Sequence, residues 1–457
     1  MPLYVDEAQY WYWAQQLSWG YYSKPPVIAA LIAATTAVCG DGEPCVRLAS
    51  VVAYPLSTLI LFLLARRLFN TPIAWVASVI FITLPAVGLS SILISTDVAL
   101  FFCWTLALYA FVRALASNAW RDWLLLGLAL GLGMMSKYTM GIFFVSALVY
   151  LLWDGQWRVL LNGRAWTAVG VAALMFAPNL FWNGQHHFPT FQHTAEISHL
   201  EQAGLHWGSL GEFLLGQMLV FGLLFFPLLL WSIALKISSK SGEALPHQRL
   251  LLSFTLVFLV IICVQALLGQ ANANWAAPTY VAGSIWLAAC LVQKRFRQYW
   301  VSGVLVNVLL FGGIYHFDSL WRVSGIELTA RTDPYKRMRA WDKLGAQYLR
   351  IQQAYPNALP LAEERGILSE LSYYARPWGL KIVSWNPHGL LRHHYDLVTS
   401  LSGKTGQSFL YVTDGELPKN IAAYFTQVSQ AGVLHVPVHR DFSLDYKVYY
   451  LQAFKGL

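Results

Sequence analysis

Charged side chains are scarce in this sequence. Asp, Glu, Lys and Arg make up 12% of its 457 residues, against about 25% in an average soluble domain, while 57% of the residues are hydrophobic. The mean hydropathy of +0.48 requires apolar runs along most of the chain, which excludes disordered, collagen-like and disulfide-scaffold proteins. The composition therefore indicates a polytopic α-helical membrane protein, with the lipid bilayer as a partner.

Cysteine is also rare, and the five cysteines show no metal-binding spacing. Cys103, Cys263 and Cys290 lie inside apolar runs, where a thiol behaves as a small hydrophobe. Cys39 and Cys45 flank a short polar turn, so they either pair in an oxidising compartment or stay free. The formal charge of +8 does not indicate a nucleic-acid partner, because the basic residues occupy short loops and form no patch.

Ten apolar runs are predicted to span the membrane, since about 20 residues cross a hydrocarbon core of about 30 Å. They cover residues 45–67, 72–93, 97–116, 120–137, 139–153, 164–183, 209–236, 249–269, 275–293 and 298–316. The run 26–39 is too short to cross and follows an aromatic stretch, 8–19. Both are therefore predicted to lie as helices at the membrane interface.

The basic residues predict the orientation. Of the 15 Lys and Arg before residue 317, twelve lie in loops on one side, which the positive-inside rule makes cytoplasmic. The N-terminus, the loop 184–208 and the chain after residue 316 are then predicted to lie outside. Lys24, Arg47 and Lys137 are the exceptions, and basic residues kept on the outer face suggest that they bind an anion.

The composition changes near residue 317, where Pro, Asn and charged residues return. We therefore predict a membrane domain over 1–316 and a small soluble α/β domain outside the membrane over 317–457. Within the second domain, the pattern predicts strands at 381–385, 408–413, 433–438 and 447–453, and helices around 334–354, 363–375 and 418–430.

Acidic residues are predicted at two places on the outer side, the pair Asp6 and Glu7 and the single Asp97. Each could equally cap the start of a helix. Beside Lys24 and Lys137 they suit a phosphate-bearing substrate, because cations hold a phosphate while a carboxylate deprotonates an attacking hydroxyl. Proton-coupled transporters carry ionisable residues at mid-membrane, and these spans have almost none, which favours chemistry at the outer interface.

The loop 184–208 contains five histidines and no Lys or Arg. His193, Glu196 and His199 are spaced so that they spread around a helix, which does not favour a metal site. No cofactor is therefore expected, with a divalent metal as the less favoured alternative. Neutral imidazoles can hydrogen-bond sugar hydroxyls or a phosphate, and a solvated loop is the alternative without function.

Seven short motifs occur in a recognisable order along the chain. They are Asp6-Glu7-Ala8-Gln9-Tyr10-Trp11, Trp19-Gly20-Tyr21-Tyr22-Ser23-Lys24-Pro25-Pro26, Val46-Arg47-Leu48-Ala49-Ser50, Ser95-Thr96-Asp97, Ser136-Lys137-Tyr138, Trp182-Asn183-Gly184-Gln185-His186 and Ala273-Asn274-Trp275-Ala276-Ala277-Pro278. The series resembles the bacterial protein mannosyltransferase-like glycosyltransferases, which are glycosyltransferase family 39 and its relatives, including the aminoarabinose lipid A transferases. Each motif alone is weak, whereas the ordered series is specific.

The resemblance implies a C-type integral-membrane glycosyltransferase that takes a sugar from a polyprenyl-phosphate donor and inverts the anomeric centre. By position, Asp6 would be the catalytic base on the acceptor hydroxyl, Glu7 would orient it or its helix, and Asp97 would be the second acidic site residue. The basic residues expected at the donor phosphate are Lys24, Lys137 and, more on side and charge than on motif, Arg47. The residues expected to line the substrate cavity are Tyr22, Tyr138, Asn183, Gln185 and His186.

Three differences from the family are visible. The C-terminal domain is shorter and less recognisable than in the family. Ser23 stands where the aminoarabinose branch has an acidic residue before its Lys-Pro, which argues against that donor and acceptor. The family also has a transmembrane helix before the acidic pair, where this sequence has residues 1–5. The predicted function is sugar transfer to a glycolipid, polysaccharide or protein at the outer face of the bacterial inner membrane. The alternative is a non-catalytic transporter or flippase of lipid-linked sugars.

Overall fold

The computed structural model describes residues 1–198, 204–238, 247–292 and 296–457. The chain divides into two compact units. The first, here called the helical unit, contains Lys24–Ile28 and Arg47–Phe317. The second, here called the mixed unit, contains Met1–Ser23, Ala29–Val46 and Asp318–Leu457. The residues after 317 therefore share a unit with two segments near the N-terminus.

The chain before residue 317 is largely helical because its long apolar runs contain few helix breakers. In chain order, the helices are α1 (Val5–Ala14), α2 (Val27–Cys39), α3 (Glu43–Leu68), α4 (Thr71–Ile82), α5 (Pro85–Ser91), α6 (Thr96–Ser117), α7 (Trp120–Met134), α8 (Ile142–Trp153), α9 (Gly163–Gln185), α10 (Pro189–Ser198), α11 (Trp207–Phe221), α12 (Phe225–Ser238), α13 (Gln248–Leu268), α14 (Thr279–Leu291) and α15 (Arg297–Tyr315).

Among the described residues, fewer helices are long and apolar enough to cross a membrane than the ten predicted. Within the described ranges, α3, α6, α9, α13 and α15 are long and apolar enough, and the bent pairs α4–α5 and α11–α12 bring the number to at most seven. The runs 120–137, 139–153 and 275–293 form α7, α8 and α14, of 15, 12 and 13 residues. At about 1.5 Å per residue these are shorter than the apolar core. Those three predicted runs therefore do not form helices of full spanning length, because hydropathy does not detect where a helix ends.

The sharper of the two bends lies between α11 and α12, whose axes differ by 105°. Gly222 sits at the bend with a φ of +116°, a backbone conformation that favours glycine. A Cβ at this position would lie 2.4 Å from Oδ1 of Asn307 on α15. The bend therefore requires glycine for its backbone conformation and for the close approach of α15.

The mixed unit is built around one five-stranded sheet. Its strands are β1 (Leu359–Ala362), β2 (Val383–Ser384), β3 (Phe409–Thr413), β4 (Phe425–His439) and β5 (Phe442–Phe454), in the order β2-β1-β3-β5-β4. β1 is parallel to β2 and β3, whereas β5 is antiparallel to β3 and β4. The helices after residue 316 are α16 (Phe317–Ser324), α17 (Trp341–Ala354), α18 (Arg365–Tyr374) and α19 (His394–Val398).

Both faces of this sheet carry a hydrophobic core, because neighbouring residues of a strand point to opposite faces. Leu410 and Val412 belong to the core that also contains residues of α17 and α18. Phe409 and Tyr411 belong to a second core on the other face, together with Trp385. The buried strands β1 and β3 are therefore apolar on both sides.

The helix predicted around 418–430 is wrong, because β4 begins at residue 425 and runs to 439. Its first half pairs with β5, with Gln427 opposite Gln452, so long-range pairing decides its conformation. The short strand β1 was not predicted. The other predicted elements of this domain correspond to α17, α18, β2, β3, β4 and β5.

A buried polar network lies at the start of the C-terminal part of the mixed unit. Arg339 contacts Oδ2 of Asp333 through Nε and Oδ1 of Asp318 through Nη2, each at 2.5 Å. Nε2 of His439 lies 2.7 Å from Oδ2 of Asp333. Burial acts to raise the pKa of Asp333, but hydrogen bonds from Arg339, His439 and the Tyr335 amide outweigh it and lower the pKa. The ionised carboxylate therefore stabilises the fold.

Replacing Asp333 with Asn should destabilise the protein by about 3–5 kcal/mol, because Arg339 loses a buried counter-charge. The measurement is thermal unfolding of the purified full chain in detergent. The pKa of Asp333 is lowered in the folded state. The stability that its carboxylate contributes is therefore fully present above the carboxyl's ordinary pKa of 3.8, and it is lost as the pH falls through the lower folded-state pKa.

The matched control is Asp445→Asn. Asp445 also pairs with a histidine of the same hairpin, His435, at 2.5 Å, but both side chains are more than half exposed. We expect this variant to unfold close to the wild-type temperature. Equal losses in the two variants would contradict the importance of the buried network.

Candidate active site

The helical unit contains an ion pair between two of the predicted site residues. Nζ of Lys137 donates to Oδ1 of Asp97 at 2.6 Å, and Nδ2 of Asn274 donates to Oδ2 of the same carboxylate at 2.7 Å. The side chains of Lys137 and Asp97 are 13% and 9% exposed. Both oxygens of Asp97 thus bind side chains of other segments. Asp97 is not the N-cap residue of α6, because that position is occupied by Ser95.

Helix ends bring these three residues together. Asp97 is in the first turn of α6, Lys137 follows the end of α7, and Asn274 lies between α13 and α14. The opposite ends of α6, α7 and α13 carry different ion pairs. Arg113 pairs with Asp122 at 2.7 Å, and Arg249 of α13 pairs at 3.3 Å with Asp154, which follows α8. The Lys137 group is therefore at one end of the helical unit, and arginine–aspartate pairs are at the other.

This arrangement suits an anion that binds at Lys137. An ammonium has three N–H donors, and the one directed at Asp97 leaves two that can turn to phosphate oxygens. Asp97 and Asn274 restrict where the ammonium points. Because the pair is shielded from water, its charges interact more strongly than at an exposed surface.

Polar residues of the predicted cavity lie next to Lys137. The Tyr138 hydroxyl donates to Oδ1 of Asn179 at 2.8 Å and accepts from Nδ2 of Asn183 at 3.2 Å. The Tyr138 ring stacks on Phe191 at 4.8 Å. Asn179 and Asn183 are fully buried on α9. The structure thus brings together Tyr138 and Asn183 from the predicted set and adds Asn179.

The other predicted residues of the helical unit are more scattered. His186 stacks on Trp182 at 4.3 Å, with Nδ1 2.8 Å from the Trp182 carbonyl oxygen. Gln185 is exposed at the last residue of α9. Lys24 is half-buried before α2, and Arg47 is half-buried in α3.

Asp6 and Glu7 lie on α1 in the mixed unit and have different partners. Oε2 of Glu7 accepts from the Tyr4 amide at 2.8 Å, so this carboxylate caps the start of α1 and is 1% exposed. Nη1 of Arg365 donates to Oδ1 of Asp6 at 2.6 Å and to Oε1 of Gln9 at 2.7 Å. Of the two carboxylates, Asp6 is the accessible one, with a 42% exposed side chain.

The interaction with Asp6 also affects the charge of Arg365. Burial acts to lower the pKa of the guanidinium, but the neighbouring Asp6 carboxylate outweighs burial and raises the pKa of Arg365. Arg365 is therefore a permanent positive charge beside Asp6.

A second arginine, Arg376, holds the segment after α2 in the mixed unit. Its guanidinium carbon lies 5.0 Å from the Trp11 ring centre and 4.3 Å from that of Tyr373, and Nη1 lies 3.7 Å from Oδ2 of Asp41. Asp41 also accepts from Nε1 of Trp11 at 2.8 Å.

A disulfide closes the same segment. The Cα atoms of Cys39 and Cys45 are 5.9 Å apart and their sulfurs are bonded. The sequence left open whether these two cysteines pair or stay free, and in the structure they are paired. The last predicted cavity residue, Tyr22, also lies in the mixed unit and is buried, with its amide directed at Nδ1 of His394 at 3.4 Å.

The histidines of the described residues do not form a metal site. His199 lies outside the described residues. Among the residues that the structure describes, no three His, Cys, Asp or Glu side chains form a metal-binding group. His193 approaches Glu196 at 3.9 Å, which is an ordinary pair on one helix.

Asn274, Arg365 and Gln9 were not predicted as site residues. Asn274 and Gln9 lie inside motifs that the sequence did single out, so their signal was present but unused. Arg365 has no such signal, because it is 359 residues from Asp6 and only the tertiary fold brings them together.

Comparison with known proteins identifies the family of this chain. A model of the dolichyl-phosphate-mannose-protein mannosyltransferase family matches residues 23–182. The lipid A galacturonosyltransferase RgtD of Rhizobium johnstonii is 30% identical over 423 residues, which are 90% of this chain and 86% of that protein. This chain belongs to that family of membrane glycosyltransferases. The undecaprenyl phosphate-alpha-4-amino-4-deoxy-L-arabinose arabinosyl transferase of Pseudomonas aeruginosa is 36% identical over 165 residues, 35% of this chain and 30% of that protein.

The fold of this glycosyltransferase is also known. The crystal structure of ArnT from Cupriavidus metallidurans bound to undecaprenyl phosphate matches it with a TM-score of 0.64, covering 98% of this chain and 92% of ArnT at 14% identity. The predicted C-type membrane fold with a small α/β domain is thereby confirmed. The predicted activity, sugar transfer by a multi-pass membrane enzyme, is confirmed by the family. None of the relatives named here is a transporter or flippase, so that alternative has no support.

Replacing Lys137 with Gln should lower kcat/KM for sugar transfer by at least about tenfold, because one charge-assisted hydrogen bond contributes about 1.5–3 kcal/mol. The measurement is transfer from a polyprenyl-phosphate sugar by purified protein. The double variant Lys137→Gln with Asp97→Asn removes the unpaired carboxylate, so it should regain stability without regaining transfer.

The matched control is Arg113→Gln, which breaks the Arg113–Asp122 pair at the other helix ends. This variant should lose stability but keep the transfer rate per folded molecule. A Lys137→Gln enzyme as active as wild type, or an equal loss in Arg113→Gln, would refute the assignment of Lys137 to the site.

Proposed function

We propose that this glycosyltransferase moves a sugar from a polyprenyl-phosphate donor to a hydroxyl of lipid A or a similar glycolipid. The single observation that carries the proposal is the 30% identity to the lipid A galacturonosyltransferase over 86% of its length. The Lys137–Asp97–Asn274 group supports it, because a lipid-linked donor presents a phosphate and this group presents an oriented ammonium.

In this proposal Lys137, Lys24 and Arg47 bind the donor phosphate. Asp97 and Asn274 position the Lys137 ammonium, so that the charge is in place before the donor arrives. As the bond between the anomeric carbon and the phosphate oxygen breaks, its electron pair leaves with the polyprenyl phosphate. The basic residues stabilise the negative charge that develops there.

Asp6 is the proposed base. It accepts the proton of the acceptor hydroxyl while the acceptor oxygen bonds to the anomeric carbon from the face opposite the phosphate, which inverts the configuration. Glu7 acts indirectly, since it caps the helix that carries Asp6. Tyr22, Tyr138, Asn183, Gln185 and His186 are proposed to contact the sugar or the acceptor.

The names of the relatives support the proposed acceptor. RgtD acts on lipid A by its name, and a glycolipid is therefore favoured over a polysaccharide or a protein. Ser23, in place of the acidic residue of the aminoarabinose branch, favours a donor sugar other than the cationic aminoarabinose. Galacturonate, the sugar in the name of RgtD, is the donor sugar we propose.

We also propose that the reaction occurs at the outer face of the bacterial inner membrane. Two observations, one from each unit, support this location. The Cys39–Cys45 disulfide of the mixed unit belongs to an oxidising compartment. In the helical unit, the basic loops predict that the helix ends with Arg113 and Arg249 are cytoplasmic, so the Lys137 group is on the outer side.

Asp6→Asn should abolish transfer, with a loss of at least about a hundredfold, because general-base catalysis contributes about 10²–10⁴ in rate. Glu7→Gln should keep most of the activity, because glutamine also serves at this position of a helix cap. Both variants are assayed with the same polyprenyl-phosphate galacturonate and lipid A. Full activity in Asp6→Asn would exclude Asp6 as the base.

The proposed location predicts the cysteine chemistry. In protein purified from membranes and unfolded without reductant, an alkylating reagent should label three cysteines, Cys103, Cys263 and Cys290. After reduction it should label all five, as counted by mass spectrometry. Five labelled cysteines without reductant would contradict an oxidising environment for the Cys39–Cys45 segment.

A further inference from the structure

Arg365 has hydrogen-bonding capacity that its contacts with α1 do not use. The bonds to Asp6 and Gln9 both come from Nη1, so they occupy one corner of the guanidinium. Among the described residues, neither Nε nor Nη2 is engaged, and 44% of the side chain is exposed. The Nε–Nη2 edge can bind a carboxylate through two parallel hydrogen bonds.

The position of Arg365 in the chain is also unusual for an arginine. It is the first residue of α18, where the helix dipole disfavours a positive charge. Its carboxylate partner, Asp6, is itself 42% exposed. An arginine placed against the helix dipole, with one edge open beside the proposed base, is better explained by a ligand than by stability.

We propose that Arg365 is a specificity-determining residue that binds the carboxylate of an acidic donor sugar, a hexuronic acid. The inference rests on the proposed function. Without Arg365, the Asp6 carboxylate would repel a negatively charged sugar. With it, the charge of Asp6 is balanced and a two-point contact for the sugar carboxylate lies next to the base.

The same geometry selects against a cationic sugar. An amino group brought to the open edge of Arg365 meets a permanent positive charge with no acceptor on the guanidinium. Gln9 contributes no charge, but its side-chain oxygen fixes the Nη1 corner. The neighbourhood of Asp6 is therefore complementary to a carboxylate and repels an ammonium.

Arg376 offers a contrast in the same unit. Its guanidinium lies against the rings of Trp11 and Tyr373 and beside Asp41, so it ties the segment after α2 to the end of α18. That contact is structural, and it makes Arg376 the matched control for Arg365.

The experiment compares two donors that differ in one group, polyprenyl-phosphate galacturonate and the corresponding galacturonamide, in which a neutral amide replaces the carboxylate. Transfer to lipid A by the full-length protein in detergent gives a ratio of kcat/KM for the two donors. We expect wild type and Arg376→Gln to prefer the carboxylate by about tenfold to a hundredfold, the usual range for a charge-assisted contact. In Arg365→Gln the ratio should fall to near one.

The ratio is measured within each variant, so partial unfolding does not change it. Arg365→Lys keeps a positive charge beside Asp6 but lacks the two-point edge, and it should have an intermediate ratio. If Arg365→Gln transfers neither sugar, Arg365→Lys decides, and a wild-type ratio there overturns the inference.

Other outcomes separate the inference from the function it rests on. Equal use of both donors by wild type would show that the sugar carboxylate is not recognised. Equal losses on both donors in Arg365→Gln, with an unchanged ratio, would show that Arg365 only positions Asp6. The transferase activity would then stand and the inference would fail. A wild-type protein that transfers neither sugar to any lipid A acceptor would overturn the proposed function and the inference together.

Discussion

A lysine ammonium surrounded by apolar helices needs a counter-charge, and Asp97 provides it for Lys137 at 2.6 Å. The requirement constrains the helical unit. The start of α6, the end of α7 and the turn before α14 must meet at one end so that Asp97, Lys137 and Asn274 come within hydrogen-bond distance. Removing one partner of such a pair is costly, because the other charge stays buried. We propose that the same pairing prepares the ammonium for a phosphate.

In the mixed unit, arginines from the C-terminal part of the chain take the corresponding role. Arg365 binds the Asp6 carboxylate and Arg376 lies beside Asp41, so these two acidic residues of the N-terminal segments have partners more than 300 residues away. Residues after 317 therefore provide the charge environment of the proposed base. In our proposal this is how the C-terminal part of the chain influences which sugar is accepted.

Asp6 and Glu7 are neighbouring carboxylates whose different surroundings suit them to different roles. Glu7 is buried and accepts a hydrogen bond from the Tyr4 backbone amide, which fixes the start of α1. Asp6 is half exposed and faces an arginine, which leaves it able to approach a substrate. A capping carboxylate and a proposed catalytic carboxylate thus stand side by side, and the first holds the helix that presents the second.

Much of this protein could be predicted from the order of residues alone. Low charge and long apolar runs determined a helical membrane protein, the return of charge near 317 indicated a soluble α/β part, and the ordered motifs indicated the enzyme family. These are local properties, since hydropathy and short motifs depend on neighbouring residues. The lengths of α7, α8 and α14 were missed because apolar composition does not mark a helix end.

Only the tertiary structure decided which charges meet. The strand β4 in place of a predicted helix, the Lys137–Asn274 group around Asp97 and the pairing of Asp6 with Arg365 all join residues far apart in the chain. Such contacts depend on where separate elements pack, and local sequence has no information about the distance between them. The sequence by itself determined the class of enzyme, whereas the fold decided how each catalytic candidate is paired, because pairing of charges is a long-range property.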